Sequence, residues 1–197
     1  MSSTARRRSP LSGFAAKASG RPGVQLSERP FQGHVNLRGN PDDVLFAEAV
    51  EEVLGFGLAL TPNTVSGDAG LMVLWLGPDE WLIITPPDGE SAIVAALEAA
   101  LGVIFSSVTD VTGGQTIIRL SGPRARDLLA KGCTLDLHPK VFGPGRCAQT
   151  LVAKANATIV HVDDAPTFDL VVRRSFAAYV QAWLQDAAQE FGLTLQG

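Results

Sequence analysis

Cysteine, histidine and tyrosine are scarce in this 197-residue chain, which holds two, three and one of them. Cys133 and Cys147 form no CxxC pair and have no histidine at ligand spacing, so neither a disulfide framework nor a thiolate metal site is expected. His34, His138 and His161 are scattered, and none stands three or four residues from another histidine or a cysteine. Long apolar runs are missing as well. The longest candidate, Leu71 to Thr85, is cut by Gly77-Pro78-Asp79-Glu80 and falls short of the roughly 18 residues of a membrane helix. The N-terminal stretch lacks the apolar segment of a signal peptide, and the expected location is the cytoplasm. Positive charge is in short supply: 16 Lys and Arg against 20 Asp and Glu give a net −4. The basic cluster Arg6-Arg7-Arg8 has no interleaved aromatics, so nothing here suits nucleic acid. The serine-hydrolase elbow GxSxG, the dinucleotide fingerprint GxGxxG and the phosphate loop GxxxxGK[ST] do not occur, which removes the nucleotide and hydrolase readings they would support.

What remains is an ordinary folded composition, 46% hydrophobic and 18% charged. Residues 1–30 are rich in Gly, Ser, Arg and Pro without a period and read as an extended arm, either free or laid across a partner. Structure is expected from residue 31 onward. Val35-Asn36-Leu37-Arg38 alternates as a strand. Asn40-Pro41-Asp42-Asp43 opens a helix whose apolar face runs from Val44 to Leu54 and stops at Gly55. Leu58 to Asn63 is an irregular connection. Leu71 to Leu76 and Trp81 to Ile84 are two strands joined by the turn Gly77-Pro78-Asp79. Ser91 to Leu101 is a second helix closed by Gly102, and Val103-Ile104-Phe105 leads into a strand through Asp110. The order β-α-β-β-α-β is the split, ferredoxin-like unit.

The second half repeats it. Thr116 to Leu120 is a strand, Ser121-Gly122-Pro123 opens a helix that closes near Gly132, and Cys147–Val152, Ala157–Val162 and Phe168–Val172 are strands. Phe176 to Phe191 is the last helix, Gly192 its stop, and Leu193-Thr194-Leu195 a final strand. Val35…Pro41 overlays Ile117…Pro123, Trp81-Leu82-Ile83 overlays Phe168-Asp169-Leu170, and Gly102 overlays Gly192. Such an internal duplication predicts an α+β fold of two split β-α-β lobes, about 31–110 and 111–197, packed into a single body over 31–197.

Catalytic constellations are thin. Asp42-Asp43 sits at a helix start, Glu51-Glu52 on a solvated helix face and Asp163-Asp164 in a hairpin turn, each with a structural reason to be there. His138 beside Pro139 reads as a surface loop residue. Trp75 and Trp81 stand three residues on either side of Pro78, so their rings are expected to be cross-strand neighbours. They are either core residues or anchors of a subunit interface, where tryptophan is enriched.

At this point residues carry a resemblance. Leu74-Trp75-Leu76-Gly77-Pro78-Asp79-Glu80-Trp81-Leu82 resembles the most distinctive stretch of the gamma subunit family of heterotetrameric sarcosine oxidase. Arg8-Ser9-Pro10-Leu11, Val35-Asn36-Leu37-Arg38-Gly39 and Leu60-Thr61-Pro62-Asn63-Thr64 are similar to further family segments. The run from Asp110-Val111-Thr112 through Leu120-Ser121-Gly122-Pro123-Arg124-Ala125 and Leu128-Leu129 resembles the related folate-binding aminomethyltransferase superfamily. The resemblance implies a place in a complex that demethylates sarcosine to glycine, releasing hydrogen peroxide and passing the one-carbon unit to tetrahydrofolate. It implies alpha, beta and delta subunits as partners, with gamma packed chiefly on alpha. FAD, FMN and NAD would be held by alpha and beta and zinc by delta, leaving this chain no catalytic, cofactor or metal residue of its own.

Two departures qualify the superfamily likeness. A free-standing aminomethyltransferase is expected to be nearly twice as long, with a further C-terminal domain. Lys131-Gly132-Cys133 is similar to the KGC signature of the folate-binding iron–sulfur repair proteins, but it continues as Thr134-Leu135-Asp136 and reads as a helix end. The alternative function is a stand-alone folate-dependent enzyme or folate-binding protein, for which Asp110 is the carboxylate to test. A module serving another flavoprotein, one that oxidises N-methylglutamate or dimethylglycine, is the third.

Overall fold

The computed structural model describes residues 7–12, 22–68 and 70–196; the remainder of the expected arm, residues 1–6 and 13–21, lies outside the described residues. The first lobe begins with β2 (Gln32–Gly39), α1 (Val44–Leu54), β3 (Val65–Gly67), β4 (Met72–Gly77), β5 (Glu80–Pro87), α2 (Glu90–Leu101) and β6 (Ser106–Asp110). The second repeats the order with β7 (Gln115–Ser121), α3 (Ala125–Ala130), β8 (Cys147–Val152), β9 (Ala155–Asp163), β10 (Thr167–Arg173), α4 (Ala177–Ala187) and β11 (Leu193–Gln196). Preceding both is β1 (Val24–Arg29). The first sheet has the order β3-β4-β5-β2-β6 and the second β11-β1-β7-β10-β9-β8. The α+β class and the duplicated split β-α-β order are those expected from sequence.

Alternation of side chains sends each strand's residues to two different layers. In the first lobe Val35, Leu37, Trp81 and Ile83 face α1 and α2, where they meet Phe46, Val50, Leu97 and Leu101. In the second, Ile118, Leu120, Phe168 and Leu170 face Leu128, Val180 and Leu184 of α3 and α4. The opposite faces of the two sheets pack on each other through Leu74, Leu82 and Ile84 on one side and Ile117, Val160 and Val171 on the other. Four layers result, helices–sheet–sheet–helices. The outer edges β3 and β8 are tied across the lobes by backbone bonds: Val65 N–H donates to Gly145 O at 2.9 Å and Cys147 N–H to Asn63 O at 3.0 Å.

Several details differ from the sequence reading. Val24–Arg29, assigned above to the arm, form β1, which pairs antiparallel with β7 and parallel with β11. Val24 and Leu26 are buried in the second lobe's core, as is Leu11 from the described part of the arm. Asn40 is not the helix cap. Its Oδ1 accepts from Asp42 N–H at 3.1 Å in a turn, and Asp43 caps α1 by accepting from Leu45 N–H at 3.0 Å. The final helix is shorter than Phe176 to Phe191, because tight 3-10 turns at Arg174–Phe176 and Gln189–Phe191 bracket α4.

The repeat itself is one residue out of step with the sequence overlay. Val35 pairs with Ile83 and Ile118 with Leu170, and all four face helices. Val35 therefore corresponds to Ile118, not to Ile117, which faces the other sheet; a slip of one residue exchanges the faces. Matching the prolines Pro41 and Pro123 hid the extra residue that the first lobe carries at Asn40. The helix ends shift too: buried Leu97 and Leu101 of α2 correspond to buried Leu184 and Ala188, which places Phe105, not Gly102, opposite Gly192.

Candidate functional site

Trp75 and Trp81 face each other across the β4–β5 hairpin, paired in register as expected. Their environments differ. Trp81 is fully buried, its ring 6.1 Å from that of Phe46, and its indole N–H donates to Ala59 O at 2.8 Å. A buried indole needs such an acceptor, and with it satisfied Trp81 is a core residue that offers no surface to a partner. Trp75 is half-buried against the same core. Of the two candidate anchors, only Trp75 is available for contact.

The titratable groups divide into capped surface residues and sealed core residues. His138 is exposed, and its Nδ1 accepts from Lys140 N–H at 3.2 Å within its own turn. Asp163 Oδ1 accepts from Ala165 N–H at 2.9 Å, the turn chemistry expected. Asp110 is exposed and accepts from Thr112 N–H at 2.9 Å; it lines an open cleft of about 560 Å³ with Asn36, Glu80, Gln115 and Arg173. His34 is buried between the sheets, and among the described residues neither ring nitrogen finds a partner at normal hydrogen-bond geometry. Loss of water around it holds its pKa down to about 4, with Arg29 adding to the depression and the Gln32 backbone and Asp110 opposing it.

His161 is also sealed, stacked 4.7 Å from the Phe168 ring and 6.3 Å from Phe142. Arg126 Nη2 lies 3.1 Å from its Nε2; because guanidinium can only donate, Nε2 accepts and the proton sits on Nδ1. Burial pushes the Cys147 thiol up to about 11, so it stays a thiol and not a nucleophile. Its Sγ lies 3.3 Å from Thr64 O and 3.5 Å from Trp75 O. Cys133 is buried beside Thr150. Among the described residues no three His, Cys, Asp or Glu side chains gather as a metal site would need. No helix among the described residues is long and apolar enough to cross a membrane.

One buried charge cluster escaped the sequence reading. Asp169 on β10, with no exposed surface, accepts from Arg119 Nε at 2.7 Å and from Arg29 Nη1 at 2.8 Å. Arg119 adds a second bond through Nη2 at 2.8 Å, and Arg29 Nη2 reaches Gln32 Oε1 at 3.0 Å. The hydrogen bonds to Asp169 raise the Arg119 pKa further, against the opposing effect of burial. The three charged residues join β1, β7 and β10 across the sheet. They form a structural clasp, because every oxygen of the carboxylate is already engaged. An Asp within Phe168-Asp169-Leu170-Val171-Val172 was the only signal for it, a charge in an otherwise apolar strand.

Lone apolar side chains stand out on the surface at the far end of the first lobe. Val103 and Phe105, read from sequence as the entry to a strand, precede β6 and are essentially fully exposed, and Val44 and Leu45 at the start of α1 are mostly exposed. Beside Phe105 a pocket of about 470 Å³ is lined by Arg38, Gly39, Asn40, Asp79 and Ser107.

A four-layer, two-lobed arrangement of this kind defines a protein of the aminomethyltransferase fold. The glycine-cleavage aminomethyltransferase T of Bartonella henselae superposes with a TM-score of 0.64 at 16% identity, over 90% of this chain and 48% of that one, a likeness of fold alone. More particularly, the chain belongs to the sarcosine oxidase gamma subunit family, whose model matches residues 38–190. The sarcosine oxidase subunit gamma of Corynebacterium sp. strain P-1 is 38% identical, covering 96% of this chain and 93% of the relative. That of an Arthrobacter species is 36% identical with the same coverage. Among solved structures, a chain of the heterotetrameric sarcosine oxidase from Corynebacterium sp. U-96, solved in complex with pyrrole 2-carboxylate, gives a TM-score of 0.86 at 33% identity, over 94% of this chain and 96% of that one.

Proposed function

We propose that this chain serves as the gamma subunit of a heterotetrameric oxidase that converts sarcosine to glycine, and that it packs there on the alpha subunit. In this reading its partners are the alpha, beta and delta subunits. The partners hold FAD, FMN, NAD and zinc, and the one-carbon unit leaves on tetrahydrofolate outside this chain. The observation that carries the proposal is the likeness over nearly the full length to a chain of a heterotetrameric sarcosine oxidase, at a TM-score of 0.86. Local chemistry is compatible with that reading: the Cys147 thiol lies against the backbone carbonyls of Thr64 and Trp75, Asp169 is held by Arg29 and Arg119, and His34 and His161 are buried. A tagged form of the chain, purified from its native cells, tests the proposal by light scattering, visible absorbance and sarcosine-dependent peroxide formation. A yellow complex of several subunits that oxidises sarcosine is the expected result, with the isolated chain colourless and inactive. A colourless monomer that comes down alone and binds tetrahydrofolate through the Asp110 cleft would overturn it.

A further inference from the structure

Six residues of the arm, Arg7 to Ser12, lie across the second lobe and end against the first. Leu11 is buried in the core of the second lobe. Ser9 folds the segment into a turn, its Oγ accepting from Leu11 N–H at 3.1 Å and its carbonyl from Ser12 N–H at 3.3 Å. The same hydroxyl donates to Glu28 Oε2 of β1, whose other oxygen accepts from Thr116 Oγ1 of β7 at 2.6 Å. Arg174, just ahead of α4, donates to the Arg8 carbonyl. All of these contacts belong to the second lobe.

Arg7 is different. Its guanidinium pairs with Asp88, in the connection between β5 and α2 of the first lobe, and lies 5.1 Å from the centre of the Phe31 ring. Phe31 belongs to the two-residue turn Pro30-Phe31, through which the chain leaves the sheet of the second lobe for that of the first. Its φ of 61° is a left-handed conformation that a bulky side chain rarely takes, so the junction between the lobes is held under strain. The side chains of Arg7 and Asp88 are 50% and 73% exposed, and an ion pair that open to water is weak and screened by salt. Between the segment and the sheet lies a cavity of about 400 Å³ walled by Leu11, Leu26, Ile118, Gln181 and Leu195. Gln181 Oε1 is buried without a donor among the described residues, so its desolvation is uncompensated.

We propose that residues 7–12 form a strap that closes this cavity, with Leu11 as its anchor and the Arg7–Asp88 pair as a salt-sensitive latch on the junction between the lobes. Segments that open at less than the cost of global unfolding have few apolar anchors and many exposed polar bonds, and this one has a single buried apolar anchor and an exposed ion pair. Residues 7–12 contribute no strand, so the strap lifts while both sheets keep their ladders. Lifting uncovers Leu26, Ile118 and Leu195 and lets water reach Gln181. The strap is a property of the chain itself and does not depend on the subunit reading.

Native-state hydrogen exchange of the full chain is the test, read at the Leu11 and Ser12 amides, which bond to Ser9, with β2 and β5 as the reference. Fluorescence of 8-anilinonaphthalene sulfonate reports the uncovered cavity. Arg7→Ala should speed exchange at Leu11 and Ser12 about two- to fivefold at low salt. Sodium chloride at about 0.5 M should do the same to the wild-type chain and nothing further to the variant. Leu11→Ser should speed exchange there about thirtyfold or more and raise the dye fluorescence, with β2 and β5 still protected. Unchanged exchange or unchanged fluorescence in Leu11→Ser would overturn the strap. Equal loss of protection in β2 and β5 would overturn it too, since Leu11 would then belong to the global fold. A salt response that survives in Arg7→Ala would overturn the latch. That variant removes only a half-exposed side chain, so it decides the matter even if Leu11→Ser does not fold.

Discussion

The two lobes share a ladder of strands but solve two local problems in opposite ways. Where the first lobe joins β2 directly to β6, the second inserts β1 between β7 and β11. Because β1 is antiparallel to β7 and parallel to β11, β11 keeps the direction relative to β7 that β6 has relative to β2. The inserted strand therefore widens the sheet without changing the topology of the repeat. In the layer between the sheets the lobes diverge again. The first lobe places Asn36 and Leu82 opposite each other, and the second places Arg119 and Asp169 at the same rung. A duplicated framework thus tolerates an added strand and a buried ion cluster provided that the helix-facing residues, Val35, Leu37, Trp81 and Ile83 in one lobe and Ile118, Leu120, Phe168 and Leu170 in the other, keep their places.

Removing residues 1–30 would break the difference most severely. β1 bridges β7 and β11, buries Val24 and Leu26, and contributes Arg29 to the Asp169 clasp. The truncated chain is expected to lose hydrogen-exchange protection in β7, β11 and α4 while β2 and β5 of the first lobe retain theirs. Equal protection in both lobes would show that β1 is not what holds the second one.

Next in size are the equivalent core positions. Trp81→Ala and Phe168→Ala each remove a fully buried ring and are each expected to cost about 3–5 kcal/mol in denaturant unfolding. A cost near zero at Trp81 would return that residue to the surface role considered from sequence. Trading Asp169 for the first lobe's residue follows. Asp169→Leu strands two arginines whose side chains are 18% and 31% exposed and is expected to cost about 3 kcal/mol. Adding Arg29→Met and Arg119→Asn to it, which makes the rung resemble Asn36–Leu82, should recover most of that loss, since an apolar replacement of a buried ion cluster is often neutral.

How far the fold could be seen in the sequence depended on which signals were local. Alternation in Val35–Arg38, the Gly77-Pro78-Asp79 turn between paired tryptophans and the glycines closing helices are local, and they gave the order of elements. β1 was hidden although Val24-Gln25-Leu26-Ser27 alternates apolar and polar, because its surroundings are rich in Gly, Pro and Arg and its two partners lie about a hundred residues or more downstream. The one-residue step at Asn40 was invisible for a related reason. Prolines mark helix starts, but only the ladder shows which face a strand residue takes. As candidate anchors the sequence offered the tryptophans, because aromatic residues flag interfaces, yet burial is a property of the whole fold, and it sends Trp81 inward and Phe105 outward.

His34 gives the smallest and most local way to sharpen the contrast between the lobes. Its counterpart on the face between the sheets is Ile117, paired with Val171 as His34 is with Ile84. The imidazole titrates near 6.5 in the unfolded chain and near 4 when folded. The unfolded state therefore binds the extra proton across the window between these values, and stability falls as the pH drops through it. Since a tenfold difference in proton affinity between the two states is worth about 1.4 kcal/mol, the loss by pH 5.5 is about 1 kcal/mol relative to pH 7. Two charges act on the ring in opposite senses, Arg29 lowering its pKa and Asp110 raising it, and both effects are smaller than that of burial. His34→Ile, which installs the second lobe's residue, should leave stability at pH 7 little changed and remove this increment between pH 7 and 5.5 in urea unfolding. An identical pH dependence in the variant would mean that the ring is hydrated when folded and that the first lobe's layer is less tightly sealed than the second's.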